Sequence, residues 1–239
     1  QPESSAASDV YKRQPLPRPH GRTSPPEVQQ QEGETDWDDP VMALLTPPIV
    51  ANAIHSFGPK KAPGPDGLRP KVLQNLGMEA IKYLTGIYRE SVARAVIPRP
   101  FLHMKVVFLS KPKPDKTSPK SYRPITLSSF LLKGLERVIQ WHWQETVLYH
   151  PLPNQHAYTK NRSCETALST VVERMERGKY LKEHTLLVSL DCSGAFDNLT
   201  YESSVRALRE SGVSETLVKW YHNLLNNRTV DSELYGLGR

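Results

Sequence analysis

TLLVSLDCSGAFDNL, residues 185–199, sets an apolar run of Leu186, Leu187, Val188 and Leu190 directly before a lone carboxylate, Asp191. Small residues follow, then an aromatic at Phe196 and a second carboxylate at Asp197. The pattern predicts a buried strand that delivers Asp191 at its carboxyl end. Many metal-dependent phosphoryl-transfer sites are built this way: the apolar strand fixes the carboxylate, and the loop beyond it leaves room for a divalent cation. A competing reading is a core strand whose Asp caps the next turn. The rest of the chain weighs between them.

Working outward, 239 residues can hold one large domain, or one domain and a tail. A formal net charge of +6 suits a polyanionic partner without requiring one. Two isolated cysteines, Cys164 and Cys192, suit neither a disulfide framework nor a zinc site and favour a reducing compartment. No apolar run approaches the roughly 20 residues of a membrane span, and the first residues are too polar for a signal peptide. The expectation is an intracellular, soluble chain with no membrane partner.

Residues 1–40 read as a disordered Pro-rich leader. Pro15, Pro17, Pro19, Pro25 and Pro26 lie among Gln, Ser and Glu, with too little apolar surface to offset the entropy of ordering. The opening SSAASDVYKRQ also resembles translated adaptor sequence, so the leader is either non-native or a partner-binding linker. Order is expected over 41–239. Thr46 before Pro47 and Pro48 marks a helix start, with Ile49, Val50, Ala53, Ile54 and Phe57 on one face. GPKKAPGPDGLRP, residues 58–70, is a basic loop of tight turns. A helical stretch from Pro70 to Ala95 breaks near Gly77. Lys105–Lys111 and Ser121–Leu127 read as paired strands, with Pro124 at an edge or bulge. Helical spacing recurs over 129–149, in Ala167, Leu168, Val171, Val172 and Met175 of a helix begun at Ser163, and over 204–211 and 214–226. The sum is an α+β fold, mostly helical with few strands.

Three further features bear on Asp191. Lys111, Lys113, Lys116, Lys120 and Arg123 crowd the predicted hairpin, and a strand pair can aim Lys111 and Arg123 at one anion; a solvated basic hairpin is the alternative. NQHAYTKNRSCETAL, residues 154–168, joins an amide, an aromatic and two cations just before a helix start, which suits nucleic acid; a polar loop around a buried tyrosine is the alternative. Phe196, five residues past Asp191, could select deoxyribose by clashing with a 2′-hydroxyl, or could simply pack in a core.

Taken in order, KKAPGPDGL, VVFLSKPKP, SYRPITLSS, NQHAYTKNRSCETAL and LVSLDCSGAFDNL resemble the reverse transcriptase domain of non-LTR (LINE-type) retrotransposons. Group II intron enzymes are more distant relatives. The resemblance covers roughly residues 45–235, and APGPDG and SYRPI are its most specific parts. It implies the fingers and the beginning of the palm of a right-hand polymerase, with a short basic β-hairpin and an incomplete palm sheet. It also implies an RNA template, a DNA primer, deoxynucleoside triphosphates and Mg²⁺, in a nuclear or cytoplasmic ribonucleoprotein. By the same resemblance Asp191 is the first catalytic aspartate and a metal ligand, and the Cys192 carbonyl helps hold the nucleotide's metal. Lys111 and Arg123 grip the triphosphate and Phe196 is the steric gate. Gln155, Tyr158, Lys160, Arg162 and Ser163 contact template and primer. Tyr158 follows Ala157 where the family more often has Gly-Phe, and Gly194 stands where Lys is frequent.

The implied reaction is in-line attack of a primer 3′-hydroxyl on a deoxynucleotide α-phosphate at a two-metal centre. The family's other carboxylates come from a Tyr-X-Asp-Asp hairpin after a Gln-Gly loop, and neither motif occurs in the 239 residues. Asp197, beyond the strand end, does not replace them. The expectation is therefore a C-terminally truncated fragment, inactive by itself. The alternative is a non-enzymatic nucleic-acid-binding module derived from such a polymerase. Between Phe101 and Lys182 fourteen Lys and Arg face six Asp and Glu, an excess of eight against +6 for the whole chain. The positive charge is thus concentrated where the template is expected to lie.

Overall fold

The computed structural model describes residues 35–112, 121–146, 152–159, 161–192 and 198–232. A 3-10 turn at Pro40–Ala43 leads into helix α1 (Pro47–His55), α2 (Pro70–Gln74), α3 (Met78–Ala93) and the short α4 (Arg99–Leu102). Strands β1 (His103–Ser110) and β2 (Tyr122–Leu127) follow, then α5 (Phe130–Thr146), α6 (Cys164–Tyr180), α7 (Tyr201–Glu210), α8 (Glu215–Asn227) and β3 (Thr229–Ser232). The α+β expectation holds at this level: the fold is mixed, mainly helical, with a small sheet.

Local signals account for most boundaries. Pro47 and Pro48 occupy the first turn of α1, where a missing N–H costs no hydrogen bond. Gly77 separates α2 from α3 as its spacing predicts. Thr200 and Ser214 cap α7 and α8, each side-chain oxygen accepting a backbone N–H of the first turn.

The core is helical. Val50 and Ile54 of α1, Tyr88 and Val92 of α3, Leu132, Leu135 and Val138 of α5, and Leu217 and Val218 of α8 are all buried in it. Each such aliphatic side chain contributes roughly 1.5–3 kcal/mol over an exposed one. Gly134 of α5 leaves room for the Tyr88 side chain of α3: a Cβ at that glycine would lie 2.6 Å from the Tyr88 hydroxyl. That hydroxyl donates to the Leu131 carbonyl.

The sheet has order β2-β1-β3. β1 and β2 pair antiparallel, with Leu109 opposite Arg123 and Ser110 opposite Tyr122; β1 and β3 pair parallel, with His103 opposite Thr229. The hairpin was legible in the sequence, whereas β3 was not.

Two expectations change. Residues 185–192 form no strand, and the apolar run is turned to solvent, with Leu186 87% and Leu190 90% exposed. A β-branched, apolar stretch becomes a strand only when a neighbour pairs its N–H and C=O groups. Here β1 is already flanked on both sides, and no described strand takes 185–192 as its neighbour. The second change is in α6, whose stripe of Leu168, Val171, Val172 and Met175 is exposed instead of facing a core. The Pro-rich stretch up to residue 34 lies outside the described residues. Order is already present at Asp36, whose N–H donates to the Ala93 carbonyl at 2.8 Å.

Candidate nucleic-acid and nucleotide interface

The loop at residues 58–70 is anchored by backbone contact. A Cβ at Gly64 would lie 2.6 Å from the Ser128 carbonyl carbon and 2.7 Å from the Ser129 nitrogen, so only glycine fits this approach. Gly67, at φ +70°, makes the tight turn, and the Asp66 carboxylate accepts the Leu68 N–H at 3.1 Å. APGPDG and the end of SYRPITLSS, far apart in sequence, therefore meet. Beside this junction lie Lys133 of α5, 4.5 Å over the Phe130 ring, and Arg137, 5.0 Å over the Phe57 ring. Burial pulls the Lys133 ammonium down from its usual range, and Glu136 and Asp66 partly oppose this. Glu136 is pushed up by burial, against Lys133 and Arg228.

Lys111 and Arg123 share one face of the sheet. Arg123 stands directly opposite Leu109, and the Lys111 N–H donates to the Ser121 carbonyl at 2.8 Å, extending the same register by one step. With a side-chain period of two, Leu109, Lys111, Arg123 and Ile125 all belong to that face, with Lys111 and Arg123 diagonal neighbours. Leu109 and Ile125 are solvent-exposed, so the face is open. Farther along it, the His103 imidazole meets the Asp231 carboxylate at 3.1 Å and Thr229 Oγ1 at 3.3 Å. Sequence reasoning missed Asp231 and His103, since the only signal for β3 is the short Thr229-Val230 pair.

The 152–163 loop is tied to the start of α6. Ser163 and Thr166 form a reciprocal capping box, with Ser163 N–H to Thr166 Oγ1 at 2.9 Å and Thr166 N–H to Ser163 Oγ at 3.3 Å. The His156 ring lies 2.8 Å from Thr166 Oγ1, and Gln155 Nε2 donates to the Ala157 carbonyl at 3.1 Å. Arg162 Nη1 donates to the carbonyls of Leu152, Pro153 and Gln155 at 3.0, 2.8 and 2.6 Å. Tyr158, at φ 58°, sits in the left-handed region with its side chain 95% exposed. For a non-glycine residue that backbone costs about 1–2 kcal/mol. The reading of this loop as a polar turn around a buried tyrosine is thereby excluded.

Asp191 and Cys192 follow α6 in the solvated 185–192 segment, off the sheet. Lys160, Phe196 and Asp197 lie outside the described residues. Among the described residues no group of three His, Cys, Asp or Glu is placed to hold a metal ion. The Asp191 carboxylate and the Cys192 carbonyl are oxygen donors of the kind Mg²⁺ takes, and that ion is commonly held by one or two carboxylates plus substrate phosphates.

Residues 111–237 match the sequence model described as "Reverse transcriptase (RNA-dependent DNA polymerase)". This chain belongs to the reverse transcriptase family. Its similarities point to the non-LTR retrotransposon branch. The Pol polyprotein of retrotransposable element R2 from Popillia japonica is 26% identical over 179 residues, 74% of this chain and 24% of that protein. The R1 polyprotein of Bradysia coprophila is 26% identical over 168 residues, 70% of this chain and 16% of that protein. The RNA-directed DNA polymerase of mobile element jockey from Drosophila funebris is 31% identical over 102 residues, 41% of this chain and 11% of that protein. This reverse transcriptase chain thus spans a quarter or less of the length of these relatives. No described helix is long and apolar enough to cross a membrane.

Proposed function

We propose that these residues form the fingers and the beginning of the palm of an RNA-directed DNA polymerase from a non-LTR retrotransposon. The protein copies an RNA template from a DNA primer, using deoxynucleoside triphosphates, within a nuclear or cytoplasmic ribonucleoprotein. The observation that carries the reading is the register pairing Leu109 with Arg123, which gives Lys111 and Arg123 one open face inside the family match. Two cations on one rigid hairpin can neutralise adjacent phosphate oxygens, Arg123 by a bidentate fork and Lys111 as a point charge. Tyr158 offers a ring on which a base can stack.

Asp191 and the Cys192 carbonyl are the proposed holders of Mg²⁺. Bound there, the metal supplies charge stabilisation for the transferring phosphoryl group. Phe196 is the proposed gate against the 2′-hydroxyl. Gln155, Tyr158, Lys160, Arg162 and Ser163 are the proposed template and primer segment, to which Ser163 contributes by fixing the start of α6 and Arg162 by bonding to the loop's carbonyls. Catalysis is proposed for the longer protein, with this chain alone extending no primer. Primer extension with Mg²⁺ tests both parts. The longer protein should incorporate deoxynucleotides and lose this on Asp191→Ala, whereas the 239-residue chain should match its own Asp191→Ala variant. Incorporation by the chain above that background overturns the second part, and an unaffected Asp191→Ala variant of the longer protein overturns the first.

A further inference from the structure

We infer that Arg162 is a positioning residue. Its guanidinium holds the 152–159 loop so that Tyr158 stands clear of the surface, and it does not itself grip a nucleic-acid phosphate. The purpose assigned to the loop rests on the polymerase reading above; the clamp rests on geometry alone.

Three carbonyls, those of Leu152, Pro153 and Gln155, converge on the single nitrogen Nη1 at 2.6–3.0 Å. A turn of this kind leaves its carbonyls without sheet or helix partners, and a cation with planar donors satisfies several at once. One further bond ties the loop to α6, between the His156 ring and Thr166 Oγ1 at 2.8 Å, and it holds the loop beyond the 152–155 stretch. The loop's backbone bonds are short-range. The Gln155 N–H reaches the Leu152 carbonyl at 2.9 Å, and the Thr159 N–H reaches the His156 carbonyl at 3.4 Å. None of these pins the 152–155 stretch to the helix side of the loop. Arg162 does, because it stands one residue before the Ser163 cap of α6. Through it the rigid helix start dictates the path into Tyr158, whose left-handed backbone persists only where its surroundings over-determine it. With Nη1 engaged by backbone carbonyls, the loop meets a strand through an aromatic face.

The experiment uses the 239-residue chain, with Arg162→Gln, Tyr158→Ala and the double variant. Hydrogen exchange without nucleic acid reads the clamp. In Arg162→Gln the Gln155 and Thr159 amides should exchange about tenfold faster or more, as loss of a charge-assisted hydrogen bond gives, while α3 and α5 amides stay protected. Unchanged exchange at Gln155 and Thr159 overturns the inference, and so does loss of protection throughout α3 and α5.

Binding of a fluorescein-labelled single-stranded RNA dodecamer across a salt series reads the consequence. Arg162→Gln should weaken binding with the salt slope unchanged, and adding it to Tyr158→Ala should cost nothing further. A slope smaller by about 0.7 is the mark of a lost phosphate contact and overturns the inference. If the unaltered chain binds no RNA, the nucleic-acid reading of the loop fails, and the exchange arm still decides the clamp.

Discussion

Gly134 shows how one missing carbon makes room for a buried side chain. A methyl group there would lie 2.6 Å from the Tyr88 hydroxyl, which is buried and donates to the Leu131 carbonyl. Neither group can give way cheaply. Gly134→Ala should destabilise the chain by about 1–3 kcal/mol, read as a lower urea midpoint, as overpacking does elsewhere. Glu136, two residues on in the same helix, carries a pH signature. Its carboxyl is raised by burial, so the folded state holds the proton to higher pH than the unfolded chain. The associated stability is fully present below the unfolded value and is lost as pH rises through the folded one. Unfolding followed from pH 4 upward should show this decline, and Glu136→Gln should flatten it. A profile identical in both proteins would mean the side chain is solvated in both states.

Elements divide by whether their signals are local or need a partner. Helix α1 with its paired prolines, the α2–α3 break at Gly77 and the β1–β2 hairpin follow from residues within a turn or two of each boundary, and all were readable. Arg123 and Lys111 came with the hairpin, since register follows from a pairing of neighbours in sequence. The 185–192 segment and β3 fared differently. A strand's existence depends on which other strand lies beside it, and composition is silent on that. The same holds for α6, whose apolar stripe announces a helix but names no surface to cover it. With so little packing, α6 leans on its cap. Ser163→Ala removes half of the box with Thr166 and should cost about 1 kcal/mol of helix stability. Faster amide exchange confined to the first turns of α6, with α3 unchanged, is the expected readout.

Across the whole molecule the helical core is sewn together by contacts far apart in sequence. The Ser214 hydroxyl donates to the Asp39 carboxylate, and the Thr216 hydroxyl donates to Asp36 Oδ2 at 2.6 Å. Trp220 Nε1 donates to Ser91 Oγ at 3.0 Å, and Asn223 Nδ2 donates to the Ala95 carbonyl at 2.8 Å. Helix α8 therefore closes the same core that α3 opens, so the helical body and the basic sheet beside it share one scaffold. That bears on the site. β1 follows α4 without a break, β3 follows α8 after Arg228, and β2 leads into α5, so all three strands join the core at the same end of the sheet and Lys111 and Arg123 lie toward its other end. Because their face is open, removing the two charges should leave the fold intact while weakening the hold on a polyphosphate. For the double variant Lys111→Gln with Arg123→Gln, the urea midpoint should match that of the unaltered chain. Affinity for a fluorescent deoxynucleoside triphosphate should fall by about tenfold or more, the effect of one to a few kcal/mol from lost charge-assisted contacts. The remaining affinity should also depend less steeply on salt, because fewer counterions are exchanged. A variant that binds the triphosphate as tightly as the parent would take this sheet face out of the nucleotide site. The triphosphate would then have to be held by the other cations between Phe101 and Lys182, where the chain's positive charge is concentrated.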